Sequence, residues 1–243
     1  MNLLMITGTS QGIGLAVARQ ALQVGYTVLG VSRRESLLGN ESHYHHLILD
    51  LDNPEARKAL MPAALKLLEG QQVERIYLLN NAGMLDPLKA VEKCSSQEIQ
   101  KILNINLAAP IDLCAQFIAA FEAFKVPKKI LNVSSGSALH PMPDMSLYCT
   151  SKAGLTMFSK CLALEQASLP WGVSVASLDP GMVETGMQVT ARSLSPASFR
   201  PAEKFRAAKE SGRVKGAGET AAKIVKILEV VEFKGEMLTV ETV

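Results

Sequence analysis

Short runs rich in Val, Ile and Leu recur along this chain, each followed by a longer stretch of helical periodicity, and that alternation restricts the fold more than any other feature. Continuous apolar runs suit strands buried on both faces, and the helices between them cover those faces, so the pattern predicts βαβ units and a parallel sheet. Strands are expected at Leu3 to Thr7, Thr27 to Ser32, His45 to Asp50, Arg75 to Asn80, Lys129 to Ser134, Val173 to Leu178 and Glu236 to Val240. Helices are expected near Gly14 to Val24, Pro54 to Glu69, Ser96 to Leu107, Ile111 to Phe124, Leu147 to Ser168 and Glu219 to Glu229. Right-handed crossovers then give an α/β fold, a doubly wound, seven-stranded parallel sheet flanked by helices on both faces.

At 243 residues the chain is long enough to bury a sizeable core, and residues 1–243 are read as a single domain. With 48% hydrophobic and 20% charged residues it is too apolar for disorder, and no uninterrupted apolar run is long enough to cross a membrane. Met1 to Ile6 is apolar but short, has no basic leader and runs into a glycine loop, so it reads as a first strand and not as a signal peptide. Cys94, Cys114, Cys149 and Cys161 form no C-x-x-C pair and have no histidine spacing suited to zinc, which fits reduced thiols in a cytoplasmic protein. His43, His45 and His46 cluster around Tyr44, but alternation sends strand neighbours to opposite faces and no carboxylate is spaced to join them, so no metal site is expected. A formal net charge of +2 with scattered basic residues argues against nucleic acid as a partner. Gly186 to Gly218 breaks the pattern with Ser, Arg, Lys, Gly and Pro; this excursion after the sixth strand is read as a substrate lid.

An open parallel sheet binds ligands beyond the carboxyl ends of its strands, and the distinctive residues fall at those ends. Gly8, Gly12 and Gly14 follow the first strand, Ser32 and Arg33 the second, and Asp50 ends the third. Asn80 to Gly83 follow the fourth, Ser134 and Ser135 the fifth, and Pro180 and Gly181 the sixth. The segment from Thr7 to Gly14 would turn tightly from strand to helix, bringing backbone N–H groups and a helix N-terminus to a pyrophosphate. Three residues separate its first two glycines, a departure from the G-x-G-x-x-G dinucleotide fingerprint. Tyr148 and Lys152 stand four residues apart on a helical stretch and share a face. A neighbouring ammonium favours the phenolate, so Lys152 is expected to lower the Tyr148 pKa from its usual value of about 10 and make it a usable acid or base.

Thr-Gly-x-x-x-Gly-Ile-Gly is the pattern of the short-chain dehydrogenase/reductase family, and the chain resembles that family over nearly its whole length. Asn80-Asn81-Ala82-Gly83 is similar to the family's Asn-Asn-Ala-Gly beside the adenine ribose, and Pro180-Gly181 with Thr185 to its Pro-Gly-x-x-x-Thr segment. Asn106 resembles its structural and catalytic asparagine; Ser135, Tyr148 and Lys152 resemble its serine and Tyr-x-x-x-Lys pair, counting back from Tyr148 to choose Ser135 over Ser134. The resemblance implies a Rossmann-type fold and catalysis by Asn106, Ser135, Tyr148 and Lys152. Tyr148 would protonate the developing alkoxide while Ser135 donates to the same oxygen, a kind of proton transfer worth on the order of 10²–10⁴-fold. Lys152 would also hold the nicotinamide ribose, and Asn106 would steady a water that relays protons. Further cofactor contacts implied are Gly8, Ser10, Gln11, Gly12, Ile13 and Gly14 at the glycine loop, Asp50 and Leu51 at the adenine, Asn81, Ala82 and Gly83, and Pro180, Gly181, Val183 and Thr185. Association through the helices flanking the fifth strand, as a homodimer or homotetramer, is implied as well.

An acidic residue after the second strand would bind the ribose hydroxyls of NAD, whereas an arginine accepts the extra phosphate of NADP. Val31-Ser32-Arg33-Arg34 offers a hydroxyl and a guanidinium, so NADP(H) is expected, with Glu35 the acid that a longer turn would bring to the ribose. Met182, Met187 and Gln188 are candidate substrate contacts, and Trp171 is expected to end the long helix and pack against the sheet.

Within the family, Tyr148 to Gly154 with Met157-Phe158, Leu162 to Glu165 and Pro180 to Gln188 resemble the sepiapterin reductases and bacterial benzil reductases. That branch implies NADPH-dependent reduction of a small-molecule carbonyl, the ketone of a 1,2-dicarbonyl compound or of a pterin side chain. The C-terminal aspartate that anchors pterin is not matched, since the chain ends Val240-Glu241-Thr242-Val243 and offers only Glu241 in its place. Two other readings stand beside this one. A 3-oxoacyl thioester reductase would use Arg200, Lys204, Arg206 and Lys209 to dock a carrier protein; a non-catalytic NADP-binding redox sensor would have no need of Ser135, Tyr148 and Lys152.

Overall fold

In the computed structural model, which describes residues 1–243, the sheet grows outward from β1 (Asn2–Thr7) in both directions. On one side lie β2 (Tyr26–Ser32) and β3 (Tyr44–Ile48); on the other lie β4 (Arg75–Asn80), β5 (Lys128–Val133), β6 (Ser174–Asp179) and β7 (Met237–Thr239). Every pairing is parallel. The order reverses between β1 and β4, and a crevice opens there beyond the strand ends.

Alternation along β1 sends Leu4 and Ile6 to one face and Leu3 and Met5 to the other, all fully buried. The first face is covered by α1 (Gly12–Gln23) and α9 (Ala217–Val230), the second by α3 (Leu60–Leu68), α5 (Ala109–Phe121) and α6 (Ser146–Ala167). Rigid layers on both sides hold the strand ends, and with them the site.

The segment predicted as one helix from Pro54 to Glu69 is two, α2 (Pro54–Arg57) and α3. Pro62 has no N–H to give the carbonyl four residues earlier, so the helix cannot run through. The next two predicted helices instead merge. α4 (Ser96–Leu103) opens on a reciprocal capping box between Ser95 and Glu98 and passes through a π turn, Asn104–Ala108, into α5. In that widened turn the N–H of Ala109 donates to the carbonyl of Asn104, which lets the chain absorb Pro110 without a break. The resulting 26-residue helix, Ser96–Phe121, is long and apolar enough on average to cross a membrane by length and composition, but Glu98, Lys101, Asn104, Asn106, Asp112 and Gln116 interrupt it, so the expected absence of a long uninterrupted apolar run stands. Its Leu113, Cys114, Phe117 and Phe121 are buried in the core.

Asp50 lies beyond the end of β3, exposed, its carboxylate accepting from the Asp52 N–H at 3.0 Å. Trp171 does not pack on the sheet: α6 ends at Ala167, and the tryptophan sits in the following turn at φ 59°, 54% exposed. The segment read as a lid holds two helices, α7 (Gly186–Ser193) and α8 (Ala202–Glu210). Arg192 and Lys209 clamp Glu184 at 2.6 and 2.8 Å and hold its carboxyl down to about 2.

Candidate active site

β1 turns into α1 through Gly8 (φ 81°) and Gly12 (φ 61°), left-handed conformations that cost an ordinary L residue about 1–2 kcal/mol. A Cβ on Gly14 would lie 2.3 Å from the Gly8 carbonyl oxygen, so the helix packs onto its own turn only because that carbon is missing. The first turn of α1 has neither a capping side chain nor an acidic residue. Its N–H groups therefore form the donor set that an anionic diphosphate requires, and the residues present fit a dinucleotide. Thr7 ties this turn to the end of β4: its hydroxyl accepts from the N–H groups of Asn81 and Ala82, both at 3.0 Å, and its carbonyl accepts from the Asn81 amide at 2.8 Å.

These elements border one cleft of about 640 Å³, a size suited to small-molecule binding. Gly8, Ser10, Gln11, Gly12 and Ile13 line one end, with Ser32, Arg33, Asp50 and Leu51 beside them. Asn81, Ala82 and Gly83 come from the end of β4, Ser135 from that of β5, and Pro180, Gly181, Val183 and Thr185 from beyond β6. Tyr148 and Lys152 complete the floor, and Met182, Met187 and Gln188 the far wall. Two predicted residues stand off the wall. Gly14 is the packing point just described. Asn106 is fully buried behind the wall, its amide both donating to the Met84 carbonyl and accepting from the Met84 N–H at 2.8 Å. Asn106 also donates to Ser151 at 3.2 Å, which donates to the Tyr148 carbonyl at 2.8 Å, so it joins the π turn to the helix carrying the phenol.

Lys152 donates to the Val133 carbonyl at 2.8 Å, and its nitrogen lies 5.7 Å from the centroid of the Tyr148 ring. Burial pushes the amine down to about 8. Burial also pushes the Tyr148 phenol up to about 12, against a hydrogen bond from Ser135 that lowers it and with a smaller upward push from the Asp179 carboxylate. The expectation that Lys152 would lower the phenol is thus corrected. The amine is turned to a main-chain carbonyl, and desolvation dominates. A phenol kept protonated is a proton donor, the state that reduction of a carbonyl uses. Ser134 is excluded as the partner because its hydroxyl is buried against Thr156 at 2.7 Å and the Lys152 carbonyl at 3.2 Å.

At the other end, Ser32 turns its hydroxyl inward, donating to the Arg34 carbonyl at 2.6 Å. Arg33 is exposed on the cleft with no hydrogen-bond or ionic partner, Arg34 donates to the Gln11 side chain at 3.1 Å, and Glu35 is not on the wall. Glu241 pairs with Lys223 at 3.0 Å, away from the cleft. No group of three His, Cys, Asp or Glu side chains is placed to hold a metal.

Sequence reasoning missed Asp179, which reaches the cleft from the end of β6 and accepts from the Gly181 N–H at 2.9 Å. Its place immediately before Pro180-Gly181 was an available signal. It also missed the apolar wall of Leu85, Met142, Met145 and Phe205, which no local pattern announces because three separate segments supply it. Of the basic residues on the lid, Arg200 is taken up by Asp144 at 2.7 Å, Arg206 by Glu203 at 2.6 Å and Lys209 by Glu184.

A parallel sheet reversing at β1 and β4, a glycine turn into a bare helix N-terminus and a Tyr-Lys pair under the crevice define an oxidoreductase of the nicotinamide-dinucleotide type. The model of the short chain dehydrogenase family matches residues 2–195, and the chain belongs to that family. Benzil reductases ((S)-benzoin forming) of Bacillus cereus and Bacillus subtilis are similar to it, at 34% identity covering 99% of this chain and 100% of the relative, and at 35% covering 94% of each. The sepiapterin reductase of Meriones unguiculatus is 29% identical over 95% of this chain and 92% of its own. Among solved structures, a short chain dehydrogenase/reductase of Saccharomyces cerevisiae shares the fold with a TM-score of 0.85 at 24% identity, covering 99% of this chain and 96% of that one.

Proposed function

We propose that this chain is an NADPH-dependent reductase of a neutral 1,2-dicarbonyl compound. The carrying observation is the cleft itself: Tyr148 with Ser135 and Lys152 on the floor, beneath a wall of Leu85, Met142, Met145 and Phe205. When bound, the nicotinamide supplies the hydride. Tyr148 donates the proton that the substrate oxygen needs, Ser135 holds that oxygen, and Lys152 keeps the floor in place through the Val133 carbonyl. Methionine and phenylalanine walls favour an apolar ligand. Asp179 carries no partner cation and disfavours an anionic one such as a 2-oxo acid. The full-length likeness to enzymes named benzil reductases supports the same reading.

The phosphate-bearing coenzyme is favoured by Arg33, which reaches the cleft unpaired while Glu35 does not. A charge-assisted contact of this kind is worth about 1.5–3 kcal/mol, or roughly tenfold to hundredfold in affinity. The thioester reading has less support, since of its four docking residues Arg200, Arg206 and Lys209 each pair with an acid of the same chain and only Lys204 is exposed without an ionic partner. The pterin reading loses its anchor, since Glu241 lies outside the cleft.

The test is turnover of NADPH and NADH with benzil, a simple aliphatic 1,2-dione, sepiapterin, a 2-oxo acid and a 3-oxoacyl thioester, for the wild type and Asp179→Asn. We expect NADPH with the neutral diones to exceed the 2-oxo acid by at least about tenfold in kcat/KM, and Asp179→Asn to narrow that gap. Preference for the thioester or the 2-oxo acid would contradict the substrate class. Binding of NADPH without reduction of any carbonyl would leave the sensing role in its place.

A further inference from the structure

The turn that carries Arg33 has no main-chain hydrogen bond of its own: neither Arg33 nor Arg34 donates or accepts one with another backbone group. Its ties are made by side chains. The Arg34 carbonyl accepts from Ser32 within the turn and from the Nε2 of His46, at 3.1 Å, on the neighbouring strand β3. A carbonyl only accepts, so the network places the imidazole proton on Nε2, which also lies 3.3 Å from the Ser32 hydroxyl.

The ring is itself held. Tyr44 and His46 are two apart on β3 and share a face; the Tyr44 hydroxyl lies 2.9 Å from the His46 Nδ1, and the rings stack with centroids 5.9 Å apart. The same hydroxyl bonds Thr9 Oγ1 at 2.9 Å, inside the glycine turn, and Ser36 donates to the Thr9 carbonyl at 3.1 Å. Gly30 makes the arrangement possible: it is the cross-strand neighbour of His46, and a Cβ there would stand 2.2 Å from the Tyr44 oxygen and 2.6 Å from Thr9 Oγ1. The two loops that border the arginine end of the cleft, one after β1 and one after β2, are therefore joined through a tyrosine-histidine pair on the sheet's edge strand.

We propose that His46, oriented by Tyr44, is a positioning residue for coenzyme discrimination: it fixes the turn that presents Arg33 to the 2′-phosphate. This rests on the NADP(H) reading above. Loss of the imidazole removes the tie to β3 and leaves the Arg34 carbonyl held only by Ser32 within the turn, so Arg33 can swing, which weakens recognition of the phosphate. It leaves the pyrophosphate and nicotinamide ends untouched.

The test measures dissociation constants for NADP⁺ and NAD⁺ by calorimetry on the intact protein, in the wild type, Arg33→Ala, His46→Leu, His46→Gln and Tyr44→Phe. His46→Leu is expected to weaken NADP⁺ by about fivefold, as for one hydrogen bond, and to change NAD⁺ by less than about twofold. His46→Gln, which keeps an N–H donor, recovers most of that loss. Tyr44→Phe, which also loses the bond to Thr9 in the glycine turn, is expected to weaken both coenzymes but NADP⁺ more than NAD⁺, and that lowered ratio serves as the readout if His46→Leu does not fold. Equal weakening of both coenzymes, or an unchanged ratio where Arg33→Ala lowers it, overturns the role of His46 alone. A ratio that Arg33→Ala leaves unchanged overturns the NADP(H) reading and this inference with it.

Discussion

Lys152 and Tyr148 share a helix face but titrate in opposite senses, because burial opposes charge on both. The ammonium is lost as pH rises through about 8, while the phenol keeps its proton up to about 12. Between about 8 and the usual lysine value the unfolded chain binds the extra proton, so the contribution of Lys152 to stability rises with pH across that window. Activity moves the other way. Carbonyl reduction is expected to fall as pH rises through about 8, and Lys152→Met to abolish that limb while lowering the rate by about 10²-fold. A pH–rate profile with a single limb near 10, kept in Lys152→Met, would refute the assignment. At this scale the sequence supplied the identities and the shared face through the four-residue spacing. It could not supply the direction of the tyrosine shift, which depends on how the folded chain excludes water. His46 shows the same limit: the cluster around Tyr44 was visible, but its use appears only when the turn after β2 is brought beside β3.

The strand-turn-helix unit of β1 and α1 is the element on which the site depends most, and Gly14 is its tightest point. In Gly14→Ala the new carbon meets a backbone oxygen and the Asn81 amide, neither of which can withdraw without moving the turn. Overpacking of this kind costs about 1–3 kcal/mol, and for a domain of this size that is a drop in Tm of roughly 2–12 °C. Thermal unfolding of Gly14→Ala with and without NADP⁺ checks it: a lower Tm and a smaller stabilisation by the coenzyme are expected, and an unchanged Tm would contradict the packing account. The glycines and the apolar run before them made this element legible. The helices were less so. Pro62 and Pro110 look alike in the sequence, yet one divides a predicted helix and the other lies inside a continuous one, because a π turn precedes only the second.

For the molecule as a whole, the parallel sheet and the placing of functional residues at strand ends follow from the alternation of apolar runs and helices, a rule of topology that needs no contact information, whereas the strand order does not, since the same alternation serves more than one order. The far side of the cleft follows no such rule. Leu85, the pair Met142 and Met145, and Phe205 of α8 come from three separate segments and converge only in the folded chain, which is why the reaction type was readable and the substrate wall was not. Turnover in that cleft depends on Tyr148 acting as the proton donor. The most direct test is carbonyl-dependent consumption of NADPH with benzil by the wild type and by Tyr148→Phe, with NADPH binding measured on the same preparations. The predicted result is turnover by the wild type and a loss of at least about 10²-fold in kcat for Tyr148→Phe, with NADPH affinity held within about twofold. Undiminished turnover in Tyr148→Phe would contradict it.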